Sequence, residues 1–503
     1  MIRALKKKTE ELGGITNRSF REFQKAYSGR VRAFAESVIR WPNNSGPTDY
    51  QVEILEALFD PKNSRAQVAV RSSRGAGKTT IAALAVLYFA LMHDGVVDWK
   101  VLTTASVWRQ LQHFLWPEIR TFARRIKWDI VGREPFNERT ELLNMALQLS
   151  TGEAFAAASN NQDAMEGAHA TALLVILDES KAIPDEIFDS IQGTLSGANQ
   201  ESRILAISTP GMPRGWFYRV FMEGLHWYTR HVTIEEAIDA GRVSEQWVEE
   251  RRIKWGEDSP LYKTHVLGEF AADQESGVIP LSWVEEAVRR GERADDDEYL
   301  VVTALGADVS LGGAENDAAP IAVIANGTRV IEIIEHTISD PRIGTMEMAG
   351  VLARLFAEYN CDVIVDAIGL GAGVVQRLRE QGIPAIPFVA SKKTGLTDSS
   401  GELRFLNWRA AGWWMLREML DPANAKRFNV TLPNDDELIG ELILPKYRIT
   451  SAGNIQIESK DSLRRRNAGR STDKADAVIM GLVGPTLAIE STYLGAEAYE
   501  SYR

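Results

Sequence analysis

Three observations predict a chain of two successive α/β domains. A glycine-rich turn, "RSSRGAGKTT" (Arg71 to Thr80), lies between an apolar strand and an apolar helix. A second apolar strand, about a hundred residues later, ends in adjacent carboxylates, "VILDES". Further on, Asp308, Asp366 and Asp476 fall at strand ends and a helix start, in a β-β-β-α-β order. Alternating strands and helices give mostly parallel sheets covered by helices. Ligands of such sheets bind beyond the carboxyl ends of the strands. The expected fold is α/β, with an N-terminal P-loop domain of the RecA/ASCE-like kind and a C-terminal RNase H-like domain.

The 503 residues exceed one ordinary core. Residues 1–45 read as a basic helical arm, 46–230 as the P-loop domain, 231–294 as a connecting subdomain and linker, 295–485 as the second domain, and 486–503 as a tail. A single cysteine, Cys361, excludes an internal disulfide framework and suits a reducing compartment. The most apolar run, Ile81 to Met92, is too short to span a bilayer. The net charge of −12 argues against general coating of nucleic acid, but the charge is uneven. Residues 446–474 hold eight Lys/Arg against three acids, and residues 1–40 hold ten against four. Such runs are more often solvated faces than binding sites.

In the first domain, "QVAV" (Gln67 to Val70) reads as the strand that enters the turn. Gly75 and Gly77 let backbone approach phosphate oxygens, and the helix N-terminus beyond them favours an anion. Ser72 stands where the P-loop pattern has its first glycine. Arg74 to Thr80, with Ala76 and Thr80 contributing backbone N–H groups, would cradle ATP. Lys78 would reach the β- and γ-phosphates and the Thr79 hydroxyl would hold Mg²⁺. Asp178 would complete the Mg²⁺ shell and Glu179 would polarise the attacking water. Gln51, in the helical stretch before the P-loop, could read the adenine edge; its plainer reading is a polar helix face. Ser208 and Thr209, ending the strand "RILAISTPG", could sense the γ-phosphate or simply form a strand-end turn.

In the second domain the predicted turns are "SLGGAEND" and "ANGT". Asp308 ends the first strand, Asp366 ends a later buried one, and Asp476 starts an apolar helix, with Asp473 one turn earlier. Hard carboxylate oxygens suit Mg²⁺ or Mn²⁺. Two such ions about 4 Å apart can activate water and stabilise a leaving oxygen in phosphodiester cleavage. Each aspartate alone is weak, because Asp often ends strands as a turn former. The segment "KYRITSAGNIQIESKDSLRRRNAGRST" reads as a hairpin turning at "SAGN", then a short basic helix. Lys460, Arg464, Arg465, Arg466 and Arg470 would flank the acids and grip a DNA backbone.

A P-loop ATPase followed by an RNase H-like nuclease, with a basic segment before the last acid, resembles the large terminase subunit of tailed bacteriophages. The resemblance covers roughly residues 46 to 485 and is most specific at "RSSRGAGKTT", "VILDES", "LAISTPGMPRGWFYRVF", "GADVS", "VIVDAIGLG" and "ESKDSLRRRNAGRSTDKADAVI". It implies nucleotide and Mg²⁺ binding by Lys78 and Thr79, hydrolysis by Asp178 and Glu179, coupling by Ser208 and Thr209, and metal ligation by Asp308, Asp366 and Asp476. It also implies an ATP-driven motor that cuts concatemeric viral DNA and packages it. The implied partners are double-stranded DNA, a small terminase subunit, the portal protein of the prohead and copies of this chain in a ring, a pentamer. The implied place is the cytoplasm of an infected bacterial host, docked transiently on the prohead and absent from the mature virion, with no membrane. Family P-loops often deviate at the first glycine and carry an arginine nearby, here Arg71 or Arg74. An arginine finger is expected from Arg74, Arg124, Arg125, Arg133 or Arg139; position before the Asp-Glu strand favours Arg139, acting in trans. Competing readings are a helicase-nuclease of repair or restriction, which needs a second RecA-like half, and an ATP-gated assembly adaptor whose aspartates are structural.

Overall fold

In a computed structural model the chain divides into two compact units, Met1–Arg252 with Tyr262–Ala272, and Ile253–Leu261 with Asp273–Arg503. The structure describes residues 19–158, 169–195, 201–224, 226–273, 276–294, 299–309, 318–338, 340, 342–450, 453–466 and 471–500. The expected "SLGGAEND" turn and Arg470 lie outside the described residues, as does half of "SAGN".

The strands of the first unit are β1 (Gln67–Ser72), β2 (Trp99–Ala105), β3 (Ala146–Gln148), β4 (Gly152–Ala158), β5 (Ala172–Asp178), β6 (Glu201–Ser208) and β7 (Tyr228–Val232). They form one sheet in the order β3-β4-β2-β5-β6-β1-β7, parallel except for the β3–β4 pair. β6 is thus inserted between the P-loop strand and the strand that ends in Asp178, as expected of an ASCE-like core. Register sets Arg71 beside Ser208 and Asp178 beside Ile207, so three carboxyl ends finish level. β5 is buried at every position, which is why it reads as an uninterrupted apolar run.

The helix Lys78–His93 is buried from Thr80 to Leu91. Its sequence has no polar face because both sides are covered. One cover is the segment read from sequence as a basic helical arm. Phe20, Phe23, Phe34, Val38 and Ile39 join the same hydrophobic core. Gln24 donates to the carbonyls of Leu91 and Asp94 at 2.9 and 2.8 Å, closing the end of that helix. Residues 19–45 are therefore part of the P-loop unit. Their arginines face solvent while their aromatics, each contributing about 1.5–3 kcal/mol on full burial, fix them in place.

The second unit contains β8 (Val302–Ala307), β9 (Ala318–Ala325), β10 (Arg329–Thr337), β11 (Asp362–Asp366) and β12 (Ile386–Phe388) in the order β10-β9-β8-β11-β12. β9 is antiparallel to both of its neighbours, and β8, β11 and β12 are mutually parallel, an RNase H-like sheet. Asn326 and Gly327 both adopt positive φ in the "ANGT" turn, the requirement of a tight hairpin. A small sheet is ordered β13 (Arg404–Phe405), β15 (Asn454–Ile457), β14 (Tyr447–Ile449); β14 and β15 are the expected hairpin. The helix Asp473–Glu500 lies on β8, β9 and β11. A Cβ on Gly306 would stand 2.1 Å from the Ala477 carbonyl, and one on Gly481 2.6 Å from Ile324, so glycine lets the helix sit close to the sheet. This helix runs past residue 485 with Pro485 inside it, through most of the expected tail. The helix Leu281–Arg293, assigned from sequence to a connecting segment, packs on the helix Asp436–Ile443 of the second unit. Its apolar stripe Leu281, Val284, Ala287 and Val288 is buried there.

Candidate active sites

The first site is built at the carboxyl ends of β1, β5 and β6. Gly75 and Gly77 adopt φ of +82° and +80°, which only glycine takes up cheaply. Tyr50 donates to the Ala76 carbonyl at 2.8 Å and anchors the turn from below. Lys78 Nζ bonds the Ser73 carbonyl at 2.8 Å and the Ser72 hydroxyl at 3.2 Å. The residue that replaces the first glycine is therefore a lysine partner, not a bystander. Burial pushes the Lys78 ammonium down to about 8, against the pull of Glu179 and Asp178. Thr79 is half-buried on the first turn, and Thr80 donates to Glu118 at 3.0 Å.

Asp178 is buried, and burial followed by the charge of Glu179 raises its carboxyl above the usual range. The Glu179 backbone sits at φ 47°, ψ 47°, in the left-handed region. Such a conformation costs a non-glycine residue on the order of 1–3 kcal/mol and clusters at active sites. Here it turns the carboxylate toward β6, where Ser208 donates to Glu179 at 3.2 Å. The same single proton is shared with the Thr209 carbonyl, 2.7 Å away, and the hydroxyl oxygen accepts from the Lys181 backbone, so the end of β6 is wired to the glutamate.

Other expected residues are placed differently. Gln51 is fully buried; Nε2 donates to the Gly77 carbonyl at 3.3 Å, and Oε1 accepts from Thr48 and Arg242. It braces the P-loop. Arg71 donates to the Gly268 carbonyl and lies over Phe221 and Phe270, a structural role. The Arg74 backbone N–H bonds the His265 carbonyl at 2.9 Å. Arg124 pairs with Glu138, and Arg133 with Glu141. Arg139 is exposed in the loop before β3, and its guanidinium has no hydrogen-bond or ion-pair partner among the described residues.

The second site lies at the carboxyl end of β8. Carboxylate oxygens of Asp308, Asp473 and Asp476 come within 4.8 Å of one another. Asp366 stands outside that group and caps its own turn by accepting from Ile368 at 3.0 Å. Its charge still bears on Asp308. Of the expected trio, Asp308 and Asp476 come together, Asp473 joins them because positions i and i+3 of one helix share a face, and Asp366 stands beside this group. Asp473 was the residue to add: the "TDKAD" spacing carried that signal.

Lys460 was expected to flank the acids and instead stands among them. Its Nζ lies 2.8 Å from Asp308, 3.0 Å from Asp476 and 3.4 Å from Asp473. Burial alone would lower its pKa, but Asp476, Asp308 and Asp473 outweigh burial and hold it well above the ordinary value. Burial raises Asp308, and Lys460 offsets only part of that. An ammonium bound by three acids is a stand-in cation, so hard oxygen donors here fit Mg²⁺ or Mn²⁺. Arg466 is committed to Glu458 at 2.8 Å and to the Leu444 carbonyl. Arg464 and Arg465 are exposed on the helix Lys460–Arg466, the latter bonding the Asp461 carbonyl.

No family model matches the chain. A protein described as "Probable terminase, large subunit" from Enterobacteria phage P7 is 24% identical over 470 residues, covering 87% of this chain and 88% of that protein. The chain resembles the large terminase subunits of phages. The large terminase from a thermophilic bacteriophage aligns with 86% of this chain and 98% of its own, at 15% identity and a TM-score of 0.41. The nuclease domain of the large terminase subunit of bacterial virus Sf6 aligns with 40% of this chain and 96% of its own, at 21% identity and a TM-score of 0.34. Among the described residues no helix is long and apolar enough to cross a membrane.

Proposed function

We propose that this chain is an ATP-driven double-stranded DNA translocase and metal-dependent endonuclease, the large subunit of a terminase that cuts concatemeric viral genomes and packages them into proheads. One observation carries the reading. A P-loop facing an Asp-Glu strand end and an RNase H-like sheet with gathered acids occur in one chain, along a sequence similar to a phage terminase large subunit.

In the first unit, Lys78 leaves Ser72 and Ser73 for the phosphates of ATP, exchanging neutral partners for charged ones. Backbone N–H groups from Gly75 to Thr80 complete the cradle. Thr79 and Asp178 would hold Mg²⁺, which would supply charge neutralisation for phosphoryl transfer. Glu179 orients the attacking water, and Ser208 links the state of Glu179 to β6. Arg139, supplied by a neighbouring copy in the ring, completes the charge. In the second unit, Asp308, Asp473 and Asp476, with Asp366 beside them, would hold Mg²⁺ or Mn²⁺, whose chemistry when bound would be activation of water and stabilisation of a leaving oxygen. Lys460 must yield its carboxylates before a cation can take them. Arg464 and Arg465, exposed beside the acids, would grip a phosphate backbone without reading sequence, and Arg466 would join them on leaving Glu458.

The partners of this reading are double-stranded DNA, a small terminase subunit, the portal of the prohead and further copies of the chain, a pentameric ring, in the cytoplasm of the host. The test is packaging of DNA into purified proheads of the same phage. The full chain should protect DNA from added nuclease only with ATP, and Lys78→Ala should protect none. ATP-independent protection, or equal protection by Lys78→Ala, would contradict the reading.

A further inference from the structure

Asp476 receives four side chains. Arg409 Nη1 donates to both oxygens, Oδ1 at 2.9 Å and Oδ2 at 3.2 Å, and Trp413 Nε1 donates to Oδ1 at 3.1 Å. Lys460 and Thr472 meet Oδ2, each at 3.0 Å. A carboxylate offers about four lone-pair sites. Trp413 therefore holds Oδ1, Arg409 bridges both oxygens, and Oδ2 is the oxygen that Lys460 meets.

The two donors belong to the first turns of one helix, Trp408–Leu420, at positions i and i+4 of one face. That helix is capped by Asn407, which accepts from Ala410 at 3.0 Å. The Arg409 backbone is tied to the Ala390 carbonyl at 3.0 Å. The guanidinium lies over the Trp413 ring, 5.6 Å from its centroid. Arg409 is 10% exposed, and Nη2 is buried with no partner among the described residues. An unpaired buried donor is a cost. The guanidinium's short polar contacts are those of Nη1 with Asp476.

We propose that Arg409 and Trp413 are positioning residues that fix the orientation of the Asp476 carboxylate toward the acid cluster and thereby set the cluster's affinity for divalent cations. This rests on the nuclease reading of the second unit. Neither residue touches a reacting atom; both act through Asp476. Outer partners of metal-ligating groups commonly govern affinity in this way.

Charge and orientation predict opposite signs, which makes the test decisive. Removing the Arg409 charge beside a carboxylate would by itself tighten cation binding. Loss of orientation would weaken it. Mn²⁺ is titrated into the full chain without nucleotide or DNA, with free Mn²⁺ read by electron paramagnetic resonance. Asp308→Asn defines binding outside the cluster. Arg409→Gln should weaken the Asp308-dependent site roughly 10- to 100-fold. Arg409→Lys should recover part of that loss, and Trp413→Phe, which removes one donor and keeps a ring, should show a smaller loss. ATP turnover and melting report folding; should Arg409→Gln not fold, Trp413→Phe carries the same sign test. Unchanged or tighter Mn²⁺ binding in the folded variants, beside a wild type that binds Mn²⁺ and cuts plasmid, would overturn the inference alone. A wild type that neither binds Mn²⁺ at this cluster nor cuts DNA would overturn the nuclease reading and the inference with it.

Discussion

Each unit of this molecule places one lysine beside acids at the carboxyl end of a sheet, and the two lysines are tuned in opposite directions. Lys78 bonds neutral atoms, Ser72 and Ser73, and burial lowers its pKa to about 8. Lys460 bonds three carboxylates, which hold it well above the ordinary value. The difference lies in where the counter-charge comes from. Lys78 is desolvated without a carboxylate in contact, so an arriving polyphosphate is its best partner. Lys460 is already neutralised, so the site that contains it waits for a cation able to displace it. Similar residues at similar places in two sheets thus prepare one site for an anion and the other for a metal.

The largest effect expected from breaking this comparison is in the first unit. Glu179→Gln removes the carboxylate that Ser208 holds and should lower ATP turnover by at least about 10²-fold, the scale of losing one positioned electrostatic group. Plasmid cleavage in the same preparation should persist. Turnover within a few-fold of wild type in a phosphate-release assay would remove Glu179 from its role.

Next comes Asp473→Asn, which tests the residue that the structure adds to the acid cluster. Cleavage with Mn²⁺ should fall by more than the roughly 10- to 100-fold that outer-shell changes cost, and ATP turnover should not change. If Asp366→Asn abolishes cleavage while Asp473→Asn does not, the metal set is Asp308, Asp366 and Asp476 after all.

Lys460→Gln sharpens the contrast. Unit charges 4 Å apart interact by about 4 kcal/mol at an effective dielectric of 20. Even a third of that corresponds to about tenfold. Mn²⁺ should therefore bind Lys460→Gln about tenfold more tightly, and the metal-free protein should melt lower because its acids then repel one another unopposed. Weaker Mn²⁺ binding would show that Lys460 supports the site and does not compete for it.

The smallest effect concerns the frame of the first unit. Burial would raise the Glu201 carboxyl, but His93 and Arg203 outweigh it and bring it down to about 2. A depressed carboxyl stabilises the fold above its unfolded pKa, about 4.3, and that stability is lost as pH falls toward 2. The ceiling is roughly 3 kcal/mol from the size of the shift, and partial exposure discounts it further. Glu201→Gln should lower the melting temperature at pH 7, with the gap from wild type closing as pH falls below about 4.5. A gap that widens toward acid would reverse the sign and refute the assignment.

Much of this was legible in the chain. β1, β5 and β6 announce themselves as apolar runs, and the functional groups fall at their ends because parallel strands finish together. The P-loop glycines show through their spacing. Asp308 and Asp476 are found because one ends an apolar strand and the other starts an apolar helix. Other features depend on tertiary contacts that spacing does not encode. Lys460 reaches Asp308 across 152 residues, and no local pattern tells such a lysine from its neighbours Arg464 and Arg465. Gln51 looks like any polar position on a helix until the Gly77 carbonyl is seen against it. Residues 19–45 misled because their arginines dominate the composition, while three phenylalanines decide where the segment goes.

The central claim is that two separate sites in one chain perform two separable reactions. The direct measurement is of both reactions on the same two preparations, Lys78→Ala and Asp308→Asn, each as the full chain. ATP turnover is followed by phosphate release and DNA cleavage by loss of supercoiled plasmid with Mn²⁺. Lys78→Ala should lose turnover and keep cleavage, and Asp308→Asn should keep turnover and lose cleavage. Wild-type turnover in Lys78→Ala, or wild-type cleavage by Asp308→Asn, would contradict the account.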